Sequence, residues 1–129
     1  MSARRPRPVS PHLTVWRWQI SAIASITHRI TGLGLYFAGT VMLTWYLTSL
    51  ATGPEAYETF CGFAGSWVGQ FILIGLTWTL FQHMASGMRH LFMDTAKGFE
   101  RAASRRSASL TFLVSATFTV ALWLYIWLT

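Results

Sequence analysis

From Ile30 to Leu50, and again from Leu110 to Leu128, the chain carries no charged residue, and each run is close to the roughly 20 residues that a helix needs to cross the hydrocarbon core of a bilayer. Backbone groups in lipid must be satisfied within their own segment, so such runs are helices. Composition agrees: 53% of the 129 residues are hydrophobic and 11% are charged, against roughly a quarter charged in soluble domains. The expectation is one all-α membrane domain over residues 1–129, with three transmembrane helices at residues 20–50, 66–93 and 109–128.

The first of these spans is apolar apart from His28 and Arg29, and Ser25, His28, Arg29, Gly32, Tyr36 and Gly39 recur along one helical stripe that is polar at its start and small further in. The second ends with Arg89, His90 and Asp94. The third bears only Ser and Thr as polar side chains and reads as a packing helix. Between the first two, Ala51 to Ser66 contains Thr52-Gly53-Pro54, Glu55 and Glu58, and reads as a loop with a short surface helix around Tyr57 and Phe60. Ahead of the first span, Arg4, Arg5, Arg7 and Arg17 stand without any acid, and Pro6, Pro8 and Pro11 exclude a regular helix, so residues 1–19 should be extended. Those prolines also spoil the amphipathic helix of a mitochondrial transit peptide, and the apolar run that follows is too long for a signal-peptide core; the segment should be retained. Trp16 and Trp18 read as interfacial anchors.

Lysine and arginine decide the orientation. Arg4, Arg5, Arg7 and Arg17 precede the first span and Lys97, Arg101, Arg105 and Arg106 follow the second, whereas residues 51–66 contain neither type. The positive-inside rule puts the N-terminus in the cytoplasm and the C-terminus on the opposite side. The net charge of +6 follows from this topology and not from nucleic-acid binding, because the basic residues form no stripe on a soluble face. With Cys61 as the one cysteine, the chain forms no internal disulfide and builds no iron–sulfur cluster, and without a C-x-x-C-H sequence any haem would be held non-covalently.

The costly residues lie in HMASGMRH, from His83 to His90. On a helix His83, Gly87 and His90 share a face, with Ser86 beside them and Arg89 off it. Ionisable groups in a span cost roughly 2.5 to 3.5 kcal/mol even on insertion scales and usually face protein, a cavity or a bound group. Arg89 can snorkel to the headgroups. His83 lies six residues deeper, about 9 Å along the helix, and three roles stay open for it: a histidine satisfied by a neighbouring carbonyl, a metal or cofactor ligand, or a proton relay. The first helix starts and the second ends at the same membrane face, so the two polar clusters meet there. A haem set edge-up between them would bring its propionates within reach of Arg29, His28, Arg89 or His90, with its iron at the depth of His83; planar guanidinium forks suit carboxylates. His83 and His90, about 10 Å apart along one helix, cannot both ligate one iron. The opposite ligand would be His28 or a histidine of a partner subunit.

RPVSPHLTVW, SITHRITG from Ser25 to Gly32, and HMASGMRHLFMD from His83 to Asp94 together resemble the cytochrome b-type large membrane-anchor subunit of succinate dehydrogenase, respiratory complex II. The likeness spans both signatures, their separation and nearly the whole length, with Trp16 where many relatives have a tyrosine. It implies that His83 is an axial ligand of a haem b shared with a second, small membrane-anchor subunit that supplies the other histidine, and that His28 and Arg29 lie near the haem propionates; His90, within propionate reach by its place on the helix, completes the expected haem-binding set. It implies further that Ser25 and Arg29 bind ubiquinone, and that an iron–sulfur subunit and a flavoprotein dock on the cytoplasmic face of a bacterial inner membrane. Succinate oxidation would be the flavoprotein's; this chain by itself would not catalyse it. Two other classes compete. A small proton or ion carrier would need polar residues along a whole path, which the third span lacks; a purely structural anchor would bind neither haem nor quinone.

Overall fold

Four helices follow one another in the computed structural model, which describes residues 15–129: α1, Ile20–Thr52; α2, Pro54–Gly65; α3, Trp67–Asp94; and α4, Arg101–Leu128. The reading of residues 1–14 as extended, with Arg4, Arg5 and Arg7, lies outside the described residues. No strand occurs among the described residues. By length and composition α1 and α4 each suffice to cross a membrane, and α2 with α3, bent by 79° at Ser66, suffices as a pair. The three-span plan agrees with this.

The ends of the helices follow from local chemistry. Gly53, at φ 133°, breaks the chain after α1, and Pro54 opens α2 at a position where its missing N–H is no loss. Ser66 caps α3: its Oγ accepts the Gly69 N–H at 3.1 Å and donates to the Phe63 carbonyl at 2.6 Å. A Cβ at Gly69 would collide with that carbonyl, so the sharp bend needs glycine there. Residues 51–66 are thus more ordered than a loop, with a full helix of 12 residues where a short one was expected. Trp45 and Tyr46 of α1 hold it, through ring contacts with Phe60 at 5.2 and 5.4 Å and with Phe63 at 4.9 Å from Trp45. Near its middle α1 widens into a π-helical turn, Leu35–Gly39.

The bundle is polar inside and apolar outside. Leu33, Phe71, Leu113 and Tyr125 are all more than half exposed, whereas Gln82, Ser86 and Ser115 are fully buried together with the small Ala24 and Ala108. In water this would be unstable; in lipid, where tails are as apolar as leucine, helices associate through small residues and polar contacts instead. A ladder of such contacts joins α3 to α4. Gln82 donates to Thr111 Oγ1 at 3.3 Å and accepts from Ser115 Oγ at 2.6 Å, and Trp123 donates its indole N–H to Thr77 Oγ1 at 3.3 Å. The buried Ala108, Thr111, Ser115 and Thr119, at three- and four-residue steps, are therefore its seam with α3. Helix α4 also begins well ahead of residue 109, because Arg101, Ala102 and Ala103 are good helix formers. Arg101, Arg105 and Arg106 consequently stand on the helix rather than in a link.

Candidate functional site

The start of α1, the end of α3 and the start of α4 meet at one end of the bundle, and the predicted histidines meet there too. Helical spacing puts Gly32 one turn beyond His28 on α1, and against it lies the ring of His83 from α3. A Cβ at Gly32 would stand 2.9 Å from His83 Cε1, closer than real Cβ contacts come. Only glycine lets the imidazole settle there. In that position His83 Nδ1 is 3.1 Å from the His28 carbonyl and 3.3 Å from Thr31 Oγ1. A carbonyl can only accept, and the Thr31 hydroxyl hydrogen already points at the carbonyls of Thr27 and His28, at 2.8 and 3.0 Å. Nδ1 therefore carries the proton, and in a neutral ring Nε2 is left with its lone pair.

His28 stacks flat on His83, with ring centroids 4.1 Å apart and planes 8° off parallel, and its ring lies 5.1 Å from that of His90 at a tilt of 53°. An iron held by two imidazoles sits in the plane of each ring, at a nitrogen; face-to-face rings cannot hold one between them. This arrangement speaks against His28 as the opposite ligand. The Nδ1 of His28 is buried without a hydrogen-bond partner among the described residues, an unmet polar group of the kind that a bound molecule commonly satisfies. Among the described residues no three or more of His, Cys, Asp and Glu come together as a metal cage. The donor set is a single fixed imidazole beside a buried unpaired one, and this suits a porphyrin iron, which brings four nitrogens of its own, better than a bare ion.

The next residue along the chain faces elsewhere. Arg29 is exposed and, with Ser25, lines a groove of about 750 Å³ whose other walls are Trp16, Trp18, Ala22 and Ile26. The two indoles meet edge to face, centroids 6.3 Å apart. Read from the sequence as anchors, they are also the aromatic wall of this groove. The helical positions of Ala22, Ser25, Ile26 and Arg29 placed those four on one face; nothing in the spacing shows that the non-helical Trp16 and Trp18 fold back beside them.

Arg89 stands apart from the histidines. It is buried and donates through Nε to Ser107 Oγ at 3.0 Å and through a terminal nitrogen to Ser104 Oγ at 3.0 Å. Of the four residues expected within reach of propionates, it is the one committed to α4. Its face is that of Gln82 and Ser86, as its position off the histidine face required. At Gly87, on the histidine face of α3, a Cβ would meet His28 Cε1 at an ordinary 3.7 Å, so the glycine that admits a ring is Gly32.

Residues 3–122 match the pattern of the family described as Succinate dehydrogenase/Fumarate reductase transmembrane subunit. The chain belongs to that family. This member is 43% identical over 105 residues to the succinate dehydrogenase cytochrome b556 subunit of Paracoccus denitrificans, covering 81% of this chain and 80% of that one. With the cytochrome b556 subunit of Rickettsia felis it shares 32% identity over 117 residues, 91% of this chain and 90% of the other. The mitochondrial cytochrome b560 subunit of Mus musculus is 33% identical over 100 residues, 71% of this chain and 55% of that longer protein. The resemblance drawn from SITHRITG and HMASGMRHLFMD is thereby borne out: the chain is a cytochrome b-type membrane-anchor subunit of complex II.

Proposed function

We propose that this anchor subunit holds one side of a haem b and forms part of the ubiquinone-reduction site, attaching an iron–sulfur subunit and a flavoprotein to the cytoplasmic face of a bacterial inner membrane. The observation that carries the reading is that two consecutive residues serve two adjoining places: His28 turns into the histidine cluster while Arg29 turns into the groove with Ser25. His83 Nε2 would ligate the haem iron, and the His28 carbonyl, by holding Nδ1–H, fixes the ring and its tautomer. His28 and His90, with Arg29 following His28 along the chain, would hold the haem's propionates. A second small anchor subunit would supply the iron's other histidine. When bound, the haem supplies a one-electron redox centre beside the groove.

In the groove the quinone ring lies against Trp16 and Trp18. Ser25 Oγ–H and the Arg29 guanidinium donate to a quinone oxygen, and Arg29 stabilises the negative charge that develops there as electrons arrive from the iron–sulfur subunit. The exposed side of Arg29 opens toward the membrane surface, so proton uptake needs only a short path. Ser25→Ala and Arg29→Leu complexes should oxidise succinate with a dye acceptor at near-normal rates, since that chemistry belongs to the flavoprotein, while ubiquinone reduction falls roughly 100-fold, the usual loss when one preorganised donor is removed. Retention of all subunits is checked first. Equal, near-normal ubiquinone and dye rates in a fully assembled double variant would refute the site.

A further inference from the structure

A second groove, of about 720 Å³, opens at the same end of the bundle between the start of α1 and the first turns of α4, lined by Ile20, Arg105, Arg106, Ser109, Leu110 and Leu113. None of these residues takes part in the histidine cluster or in the groove of Ser25 and Arg29. On α4 they form one stripe, because 105 and 106, 109 and 110, and 113 succeed each other at three- and four-residue steps. Along the stripe the chemistry changes in order: two exposed guanidiniums, then a hydroxyl, then two leucines that are 54% and 63% exposed. From Arg106 to Leu113 the stripe descends about 11 Å at helical rise. Arg101, Arg105 and Arg106 share the first turns of α4 with no acid among them. Arg89, by contrast, has its guanidinium committed to Ser104 and Ser107.

We propose that this groove binds an anionic phospholipid, its phosphate held by Arg105 and Arg106 with help from the Ser109 hydroxyl, and one acyl chain laid along Leu110, Leu113 and Ile20. Charge, hydroxyl and apolar surface follow each other as headgroup, glycerol and tail do in a lipid. A free phosphate would use only the first two, and basic pockets between helices at the membrane surface are suited to anionic headgroups. Such a lipid would bridge α1 and α4.

The complete complex, reconstituted in nanodiscs of phosphatidylcholine with a minor fraction of a photoactivatable phosphatidylglycerol, tests this by mapping the labelled peptides. With each arginine near the surface contributing about fivefold, the peptide containing Ser109 to Leu113 should be labelled on the order of 25-fold more by phosphatidylglycerol than by an equally photoactivatable phosphatidylcholine. The R105Q/R106Q complex should lose that preference, R105K/R106K should keep most of it, and L113W, which fills the apolar end with both arginines in place, should lower labelling. Haem content and dye-linked succinate oxidation, which involve none of these residues, verify that the variants are assembled. If R105Q/R106Q does not assemble, the lysine pair and L113W decide. Equal labelling by both lipids would overturn the proposal, as would no labelling in the assembled complex, which would mean that a partner subunit covers the groove. Displacement of the label by inorganic phosphate would also overturn it, since the site would then need no lipid.

Discussion

Gly32→Ala changes one methyl group and reports directly on His83. The added Cβ would stand 2.9 Å from His83 Cε1 and 3.4 Å from Nδ1, whereas carbon atoms in contact sit about 3.5 to 4.0 Å apart, so the ring must retreat by about 0.6 Å or more. Its Nδ1 is already 3.1 Å from the His28 carbonyl; a retreat of that size carries the pair past the range of a hydrogen bond. Overpacking of this kind costs roughly 1 to 3 kcal/mol, partly offset by about 1 kcal/mol from replacing glycine with alanine in a helix. The balance is too small to unfold a complex held by several subunits, but the displacement is large for a ligand that must meet an iron at a fixed distance. The variant should therefore assemble and oxidise succinate with dye, yet show a reduced haem-to-flavin ratio, a partly high-spin spectrum and a shifted midpoint potential. Gly87→Ala is the control, since its Cβ would meet His28 Cε1 at an ordinary 3.7 Å. Reduced-minus-oxidised spectra and a redox titration of both purified complexes decide the matter. An alanine at position 32 that leaves haem content, spectrum and potential untouched would show that the seat of His83 against α1 does not matter to the haem.

Three further outcomes are expected. His83→Leu should abolish the low-spin bis-histidine spectrum, and an unchanged spectrum in an assembled complex would remove His83 from the ligand set. Gln82→Leu should lower the thermal stability of the detergent-solubilised complex by an amount corresponding to about 1 to 2 kcal/mol, because it cuts two helix-bridging hydrogen bonds of the kind that contribute about 0.6 kcal/mol each, or somewhat more, within membranes; no loss of stability would mean that the α3–α4 seam rests on packing alone. Cys61 is exposed on α2, on the side opposite the basic segments, and should react with a membrane-impermeant maleimide added outside intact spheroplasts; labelling confined to inside-out vesicles would reverse the orientation.

Much was legible from the residues in order. Uninterrupted apolar length forces helices, because lipid offers the backbone no partner, and Gly53-Pro54 marks the end of the first span without ambiguity. His28, Arg29, His83 and Arg89 stand out because each is costly where it lies. The direction in which such residues turn was less accessible. In a soluble helix the apolar stripe shows the inward face, but here both lipid and protein neighbours are apolar or small, so periodicity separates the faces only where a polar residue marks one.

What the sequence alone determined is the class of fold and the meeting of two polar clusters at one end of the bundle, because these depend on length, charge and helical rise. The tertiary structure decided the neighbours: that His83 sits against Gly32, that His28 stacks flat on it, that Arg89 is spent on Ser104 and Ser107, and that Trp16 and Trp18 wall the groove of Ser25 and Arg29. The physical reason is that a side chain's partner across a helix interface is set by the rotation and separation of two helices. Those follow from the sum of many weak contacts along their length, such as the Gln82–Thr111–Ser115 bridge, and no local motif encodes that sum.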